Sequence, residues 1–214
     1  MLCLAAVLAV LVVQAFIICV YGPMVGESPT MKDVASHFLS PSGAPLVLSY
    51  IVVYFLSGKM KPSYYEESSF DPGNVFLQLY VVDFFMFCAH YASHKKPFGS
   101  AVYKLTHAPH HIHKNPRMTD AFDGSLGDTT CMIVFPLFLT SRIIVASFLD
   151  YACFGACYSA LLTLLHARSS HRWESTLVWT EMRLGTSEQH RLHHKKLTKK
   201  YGHIFSVWDT AFVG

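Results

Sequence analysis

The chain has 214 residues, of which 52% are hydrophobic and only 14% are charged. Soluble domains of this size are about a quarter charged, so the composition excludes an ordinary water-soluble fold and predicts a membrane protein. The formal net charge is +3, and the lysines adjoin hydrophobic segments, which favours contact with anionic lipid headgroups over nucleic-acid binding. The six cysteines form no C-x-x-C pair, so neither a disulfide framework nor a thiolate zinc site is indicated.

The first apolar segment runs from Met1 to Tyr21 and is about as long as a transmembrane helix. It lacks the preceding Lys or Arg of a signal peptide, so we expect it to be retained in the membrane. Four further apolar segments are Pro45–Leu56, Val75–Ala89, Cys131–Leu149 and Tyr151–Leu165. Their apolar character is nearly all-round rather than alternating, which predicts an all-α membrane helical bundle.

The lengths of these segments and the residues between them predict where the helices end and where loops lie. Pro45–Leu56 is short for a full crossing, so this helix is predicted to be tilted, re-entrant or extended by Ser57 and Gly58. Turn-forming residues concentrate in Gly26–Gly43 and Lys59–Gly73, which are predicted to be loops at the membrane surface.

The last two apolar segments are separated only by Asp150, which predicts a helical hairpin with Asp150 in its turn at the far interface. Because a hairpin returns the chain to the face from which it started, histidines before and after it can meet on one side of the membrane. The Lys59–Gly73 loop would then lie on the opposite side. Positive residues flank the histidines, which places that side in the cytoplasm. They are Lys95, Lys96, Lys104, Lys114, Arg117, Lys195, Lys196, Lys199 and Lys200.

The histidines form three ordered boxes, one H-x-x-x-H and two H-x-x-H-H. They are His90/His94, His107/His110/His111 and His190/His193/His194. Residues three or four apart share one face of a helix, so each box can direct its imidazoles to a metal. Imidazole suits iron, copper, zinc and nickel alike, but eight imidazoles exceed the ligands of a single zinc site, which favours two metal ions. The alternative, a solvated polar face, is the better interpretation for an isolated histidine such as His37.

The three boxes, the hairpin before the third box and the tail Tyr201-Gly202-His203-Ile204-Phe205-Ser206-Val207-Trp208-Asp209 resemble the sterol desaturase and fatty acid hydroxylase superfamily. The resemblance covers roughly residues 83–214. It implies a cap of cytosolic histidine-rich helices that holds two irons and uses dioxygen and two electrons to hydroxylate or desaturate a membrane lipid. We accordingly divide the chain into N-terminal membrane segments, residues 1–73, and a fatty acid hydroxylase-like part, residues 74–214, with its membrane hairpin at about 131–165.

The resemblance also suggests a ninth metal ligand, His166, at the end of the last apolar segment. His171 would need a bend in the chain to join it, and His113 and His203 are expected to be surface or outer-sphere residues. Asp83, an ionisable group at membrane depth, is predicted to accept a hydrogen bond from a ligating imidazole; the alternative is a polar contact between helices.

Further expectations concern the tail. Trp208 is expected to anchor at the membrane interface, and Asp209 to orient a histidine or cap the backbone. Thr210 stands where the superfamily often has Arg or Lys, so the tail does not assign a subfamily.

Partners and location follow from the same resemblance. No flavin or nicotinamide fingerprint is present, so the electrons must come from outside, from a cytochrome b5-type protein or a ferredoxin. The lysine run Lys195/Lys196/Lys199/Lys200 is either a docking surface for this acidic partner or a headgroup contact. The expected membrane is the endoplasmic reticulum in a eukaryote and the inner membrane in a bacterium.

Two other functional classes remain as alternatives. A membrane metal transporter would use the histidines as transit ligands, but would need polar residues along the bilayer interior. A membrane zinc hydrolase would need a Glu beside a ligand as in H-E-x-x-H, and the sequence has no such pair.

Overall fold

The computed structural model describes residues 2–66, 70–95 and 99–214, and within these ranges the chain is built from helices. The only β pairing in these ranges is an isolated bridge between Leu184 and Phe205. The prediction of an all-α chain is therefore confirmed. Met1 of the first apolar segment, residues 67–69 of the predicted loop Lys59–Gly73, and Lys96, one of the positive residues that flank the histidines, lie outside the described residues.

The helices are α1 (Leu2–Phe16), α2 (Met31–Leu39), α3 (Ala44–Leu56), α4 (Pro72–His94), α5 (Gly99–Thr106), α6 (Leu126–Ile143), α7 (Phe148–Leu165), α8 (Leu177–Glu181), α9 (Ser187–Lys196) and α10 (Val207–Phe212). A π-helical turn over Ile17–Tyr21 continues α1, and a second one over Thr130–Val134 lies within α6. Short 3-10 turns occupy several of the connections.

Five helical stretches of the described chain are long and apolar enough to cross a membrane. They are Cys3–Met24, Met31–Leu56, Pro72–His94, Leu126–Ile143 and Phe148–Leu165. A helix satisfies all of its backbone hydrogen bonds internally, which is what the hydrocarbon interior of a bilayer requires. The protein is thus an integral membrane helical bundle, as predicted.

Asp150 joins the beginnings of two of these helices, α4 and α7. Its carboxylate accepts hydrogen bonds from the backbone N–H of Asp71, at 2.8 Å, and from the side-chain amide of Asn74, at 3.1 Å. Helices α4 and α7 therefore start at one face of the bundle and end together at the other, where His94 and His166 lie. Helix α6 packs against α4 and ends at Ile143, and α7 begins at Phe148, so the predicted hairpin corresponds to α6 and α7.

The turn of this hairpin lies earlier than predicted. Helix α6 ends at Ile143, and Ser147 caps α7, its hydroxyl accepting from the backbone N–H of Asp150 at 3.1 Å. In turn, the Asp150 carboxylate accepts a hydrogen bond from the backbone N–H of Ser147 at 3.2 Å. Asp150 thus belongs to the first helical turn of α7, because a capping box needs its acidic residue three positions after the cap.

The N-terminal third differs from its prediction in two places. Helix α3 ends at Leu56 with Ser57 as its cap, so the short apolar segment is extended at its start by Ala44 and α2, and not at its end. The expected loop Gly26–Gly43 contains α2, which begins at Thr30 with a complete capping box.

His37, expected to be solvated, is buried on the inner face of α2. Its Nδ1 donates to the carbonyl oxygen of Thr119 at 3.1 Å, and its ring packs edge-on against Phe122. The solvated interpretation was wrong because α2 packs one face against the chain around the second histidine box.

Candidate metal centre

All nine histidines proposed as ligands converge in the structure in two groups. Cluster A consists of His90, His94, His107, His111 and His193; cluster B consists of His110, His166, His190 and His194. Within each cluster the candidate ligand nitrogens lie within 4.8 Å of one another. His94 is half-buried, and the other eight side chains are buried.

The two H-x-x-H-H boxes are each divided between the clusters. In α9, His190 and His194 belong to cluster B, while His193 belongs to cluster A. Each residue of an α-helix advances by about 100°, so residues four apart nearly superimpose and the residue at the third position lies to one side. The prediction of one shared face therefore holds for the outer pair of each box, and the third histidine links the two clusters.

The ring nitrogens facing away from the clusters donate to fixed acceptors. Nδ1 of five histidines donates to a backbone carbonyl oxygen at 2.7–2.9 Å, in the pairs His90–Tyr201, His110–Asp123, His166–Leu162, His193–Lys199 and His194–His113. Because a carbonyl only accepts, each Nδ1 carries the proton and each Nε2 presents its lone pair to the cluster.

Asp128 provides the one carboxylate in this outer layer of the described site. Nδ1 of His107 donates to its Oδ1 at 2.6 Å, and both side chains are buried. A carboxylate partner fixes the imidazole tautomer and raises the basicity of the opposite nitrogen, as in the outer shell of metal sites.

The inward nitrogens fit a bound metal ion. Nε2 of His110 and Nε2 of His166 lie 3.3 Å apart, although the Nδ1 proton of each ring is already engaged, so two lone pairs face each other. Nε2 of His90, His94 and His193 is buried without a hydrogen-bond partner among the described residues. Each buried unpaired polar atom costs about 1–3 kcal/mol, and a cation between the rings would remove this cost. The donor set is all nitrogen, which suits iron, copper, zinc or nickel.

The imidazoles of the cap are held in their neutral, metal-binding form. Burial, which disfavours the charged ring, lowers the pKa of His166 to about 3 and that of His193 to about 4. Burial likewise lowers the pKa values of His110, His190 and His194. Proton competition for these nitrogens is therefore weak near neutral pH.

Asp83 is fully buried in α4 but does not contact an imidazole through its hydrogen bonds. Its carboxylate accepts from the backbone N–H groups of Ile204 and Phe205, at 2.8 and 2.9 Å, and from Nε1 of Trp208, at 3.0 Å. The expected direct bond to a ligand is thus replaced by the alternative, a polar contact between α4 and the tail. The tail in turn supplies the Tyr201 carbonyl that accepts from His90.

The tail is held by two further contacts. Asp209 accepts from the backbone N–H groups of Tyr201 and Gly202, at 2.8 and 2.9 Å, so it caps backbone. Gly185 passes so close to the His203 carbonyl oxygen that a Cβ at this position would overlap it, which explains the glycine. Trp208 is buried rather than interfacial, because Asp83 binds its indole N–H.

The three remaining histidines near the site lie outside both clusters. His203 is buried, with its ring 4.8 Å from that of His90 and 5.0 Å from that of His190, so it is an outer residue between the clusters. Nδ1 of His171 lies 2.8 Å from the Tyr21 hydroxyl, and its Nε2 donates to the Leu164 carbonyl. Nε2 of His113 pairs with Asp123 at 2.9 Å.

Two acidic residues that hold the site were missed from the sequence, namely Asp128, which contacts His107, and Glu27, which contacts only backbone. Asp128 had a usable signal, since Ser125-Leu126-Gly127-Asp128 is a helix start that directly precedes an apolar segment. Glu27 had none. It is buried, and its carboxylate accepts from the backbone N–H groups of Met118 and Arg168, which follow the second box and His166 respectively.

Comparison with known proteins gives two matches. The family model described as fatty acid hydroxylase matches residues 75–213. A curated protein named "Alternative squalene epoxidase", from Phaeodactylum tricornutum (strain CCAP 1055/1), is 34% identical over 180 residues, which cover 83% of this chain and 51% of that protein. The chain thus spans about half the length of this relative. No solved structure is significantly similar to the chain.

Proposed function

Because the chain belongs to the fatty acid hydroxylase family, we propose that it is a membrane-bound oxidoreductase that uses dioxygen to oxidise a lipid, with one iron ion in cluster A and one in cluster B. The observation that carries this proposal is the pair of adjacent buried clusters, in which neutral imidazoles direct unprotonated Nε2 atoms inward. Nine ligands are more than one metal ion takes, and they divide five and four.

Iron in these clusters would supply the oxidation of an unactivated C–H or C=C bond, which amino-acid side chains cannot perform. The chain's own residues bind and orient. Asp128 holds His107, the carbonyls of Tyr201 and Leu162 hold His90 and His166, and burial excludes water from the ligand nitrogens. For oxygen insertion, one oxygen atom enters the lipid and the other leaves as water, which consumes two electrons and two protons from an external donor.

The external donor is proposed to be a one-electron carrier of the cytochrome b5 or ferredoxin kind. The run Lys195/Lys196/Lys199/Lys200 beside the third box is positively charged, which supports docking of such an acidic carrier, and the alternative is contact with lipid headgroups. The histidine face is proposed to be cytosolic, in the endoplasmic reticulum of a eukaryote or the inner membrane of a bacterium.

The substrate is proposed to be a sterol-type or isoprenoid lipid, on the strength of the relative whose name states squalene epoxidation. Hydroxylation, desaturation and epoxidation differ in which bond of the lipid lies beside the metal ions, and product analysis separates them. Metal transport is less well supported, because both clusters lie at the same end of α4 and α7 instead of along them.

The test combines metal analysis with lipid analysis. Purified protein is expected to contain about two irons per chain and to convert an added lipid only with dioxygen and a reductant. His110→Ala removes a cluster B ligand and is expected to abolish the product, while the matched control His171→Ala, a buried histidine outside both clusters, retains iron and product. Product formed without dioxygen, or full activity of His110→Ala, would contradict the proposal.

A further inference from the structure

A cavity of about 790 Å³, counting its open mouth, lies among helices α1, α3, α6 and α7. None of the residues that line the cavity is an Asp, Glu, Lys, Arg or His. Aromatic rings make up much of the wall, among them Phe55, Phe122, Phe148 and Phe154.

The inner end of the cavity lies close to cluster B. Ser159 lines it and stands seven residues before His166, which corresponds to about 10 Å along α7. Phe122, which also lines it, is the neighbour of Asp123, whose carbonyl accepts from His110. The opposite end reaches Phe148 at the start of α7, so the cavity extends along this helix from Phe148 to Ser159.

One amide interrupts the apolar wall. Gln14 of α1 lines the cavity, is only 2% exposed, and makes no side-chain hydrogen bond with any described residue. Burying an amide without a partner is costly, so a ligand that brings a single neutral oxygen would be favoured there. A charged headgroup would find no counter-ion among the residues that line the cavity.

We infer that this cavity binds the body of an uncharged isoprenoid-type lipid with at most one oxygen atom, such as squalene or its epoxide. This inference rests on the proposed function and names its substrate class. Helix α1 supplies Val10 and Gln14 to the wall although it lies outside the residues that the family model matches. The wall of the cavity is therefore built jointly by the part that the family model matches and by the helices that precede it.

Photo-crosslinking under anaerobic conditions tests binding without turnover. The probe is a squalene analogue with a diazirine group, added to the iron-loaded protein, and the labelled peptides are identified by mass spectrometry. Label is expected on α1 around Val10–Gln14 and on α7 around Ala152–Ser159. Excess squalene or squalene epoxide should remove the label, and oleoyl-CoA should not. Label confined to other helices, or equal competition by oleoyl-CoA, would overturn the inference.

Two variants on α7 make the test specific. An added Cβ at Gly155 meets only Val10 Cγ2, at 3.8 Å, so Gly155→Phe fills the cavity. It is expected to lower crosslinking at least tenfold, whereas Cys157→Phe, on the exposed face of the same helix, leaves it unchanged. If Gly155→Phe fails to fold, as its iron content would show, Gln14→Leu replaces it. Gln14→Leu should weaken competition by the epoxide about fivefold, the effect of one hydrogen bond, and leave squalene competition unchanged.

The outcomes separate this inference from the proposed function. If the probe labels α1 and α7 but no lipid is oxidised in the presence of dioxygen and reductant, the proposed function fails and the cavity assignment stands. If lipid is oxidised normally and neither Gly155→Phe nor Gln14→Leu changes labelling or competition, the cavity assignment fails and the proposed function stands.

Discussion

Two regions of the chain contribute to the site in different ways. The first is the part that the family model matches, residues 75–213, and the second is the described chain before it. The first region carries all nine clustered histidines, and also the carbonyls and the Asp128 carboxylate that orient six of them. The second region carries no member of either cluster, yet it contacts the loops that hold them. The metal-binding histidines thus come from one continuous region of the sequence, whereas the residues that hold their loops in place come from the whole chain.

The contacts of the N-terminal region are directed at two loops. The Glu27 carboxylate joins the backbone after the second box to the backbone after His166, and the Ser169 hydroxyl donates to the Val25 carbonyl at 3.0 Å. The Ser42 hydroxyl donates to the Gly124 carbonyl at 2.9 Å. These hydrogen bonds hold the loops that follow the second box and His166, so we propose that the two regions act as one unit and not as a membrane anchor and a separate enzyme.

The largest expected effect follows loss of a ligand from the matched region. His166→Ala should lower lipid oxidation by more than the roughly 10- to 100-fold that is typical of losing an outer partner, because cluster B keeps only three nitrogens. Iron content should fall by about one ion per chain. The measurement is product formation per chain alongside metal analysis. Unchanged iron in this variant would show that His166 is not a ligand.

An intermediate effect is expected from the outer partner of cluster A. Asp128→Asn keeps an acceptor for His107 but removes the negative charge, so iron affinity should fall by about 10- to 100-fold. Competition with a chelator measures this affinity. Asp123→Asn is the matched control, since its side chain binds His113 while its backbone carbonyl still accepts from His110. Equal losses in both variants would mean that general charge, and not the His107 contact, sets the affinity.

A smaller effect is expected from the N-terminal region. It tests directly whether this region holds the metal-binding loops in place. Glu27→Ala leaves two buried backbone N–H groups without their acceptor, at about 1–3 kcal/mol each. The unfolding midpoint should fall and iron should be lost more readily on heating. The exposed Glu181→Ala is the control. If Glu27→Ala behaves like the control, the N-terminal region is an anchor only.

The smallest effect is expected at the partly exposed ion pair between Arg117 and Asp33, whose nitrogen and oxygen lie 2.9 Å apart. Arg117 also pairs with Asp120 at 3.1 Å, so Asp33→Asn removes one of two partners. The unfolding free energy should fall by no more than about 1 kcal/mol. A denaturant titration measures this free energy. If Asp33→Asn lowers it as much as Glu27→Ala does, then surface charge, and not the buried Glu27 carboxylate, stabilises the contact between the two regions.

Much of the fold could be read from the sequence because lipid imposes a simple rule. Apolar runs of sufficient length must be helical in lipid, so the five apolar helices were predicted, although boundaries such as Asp150 and Ser57 were not. Boundaries depend on capping bonds, as at Ser147, and these are visible only weakly in composition. The amphipathic helix α2 was missed because its polar residues resemble those of a loop.

The sequence by itself determined which imidazoles belong together, since fixed spacings within the boxes select eight of them and the family resemblance adds His166, and the structure gathers these nine residues. Only the tertiary structure decided how they divide into clusters A and B, what Asp83 and Trp208 bind, and that Glu27, Gln14 and α1 take part. The physical reason is the distance along the chain over which each kind of contact acts. Helical periodicity fixes neighbours three and four residues apart, whereas a carboxylate or an apolar wall meets partners more than 80 residues away, whose positions depend on how the whole bundle packs.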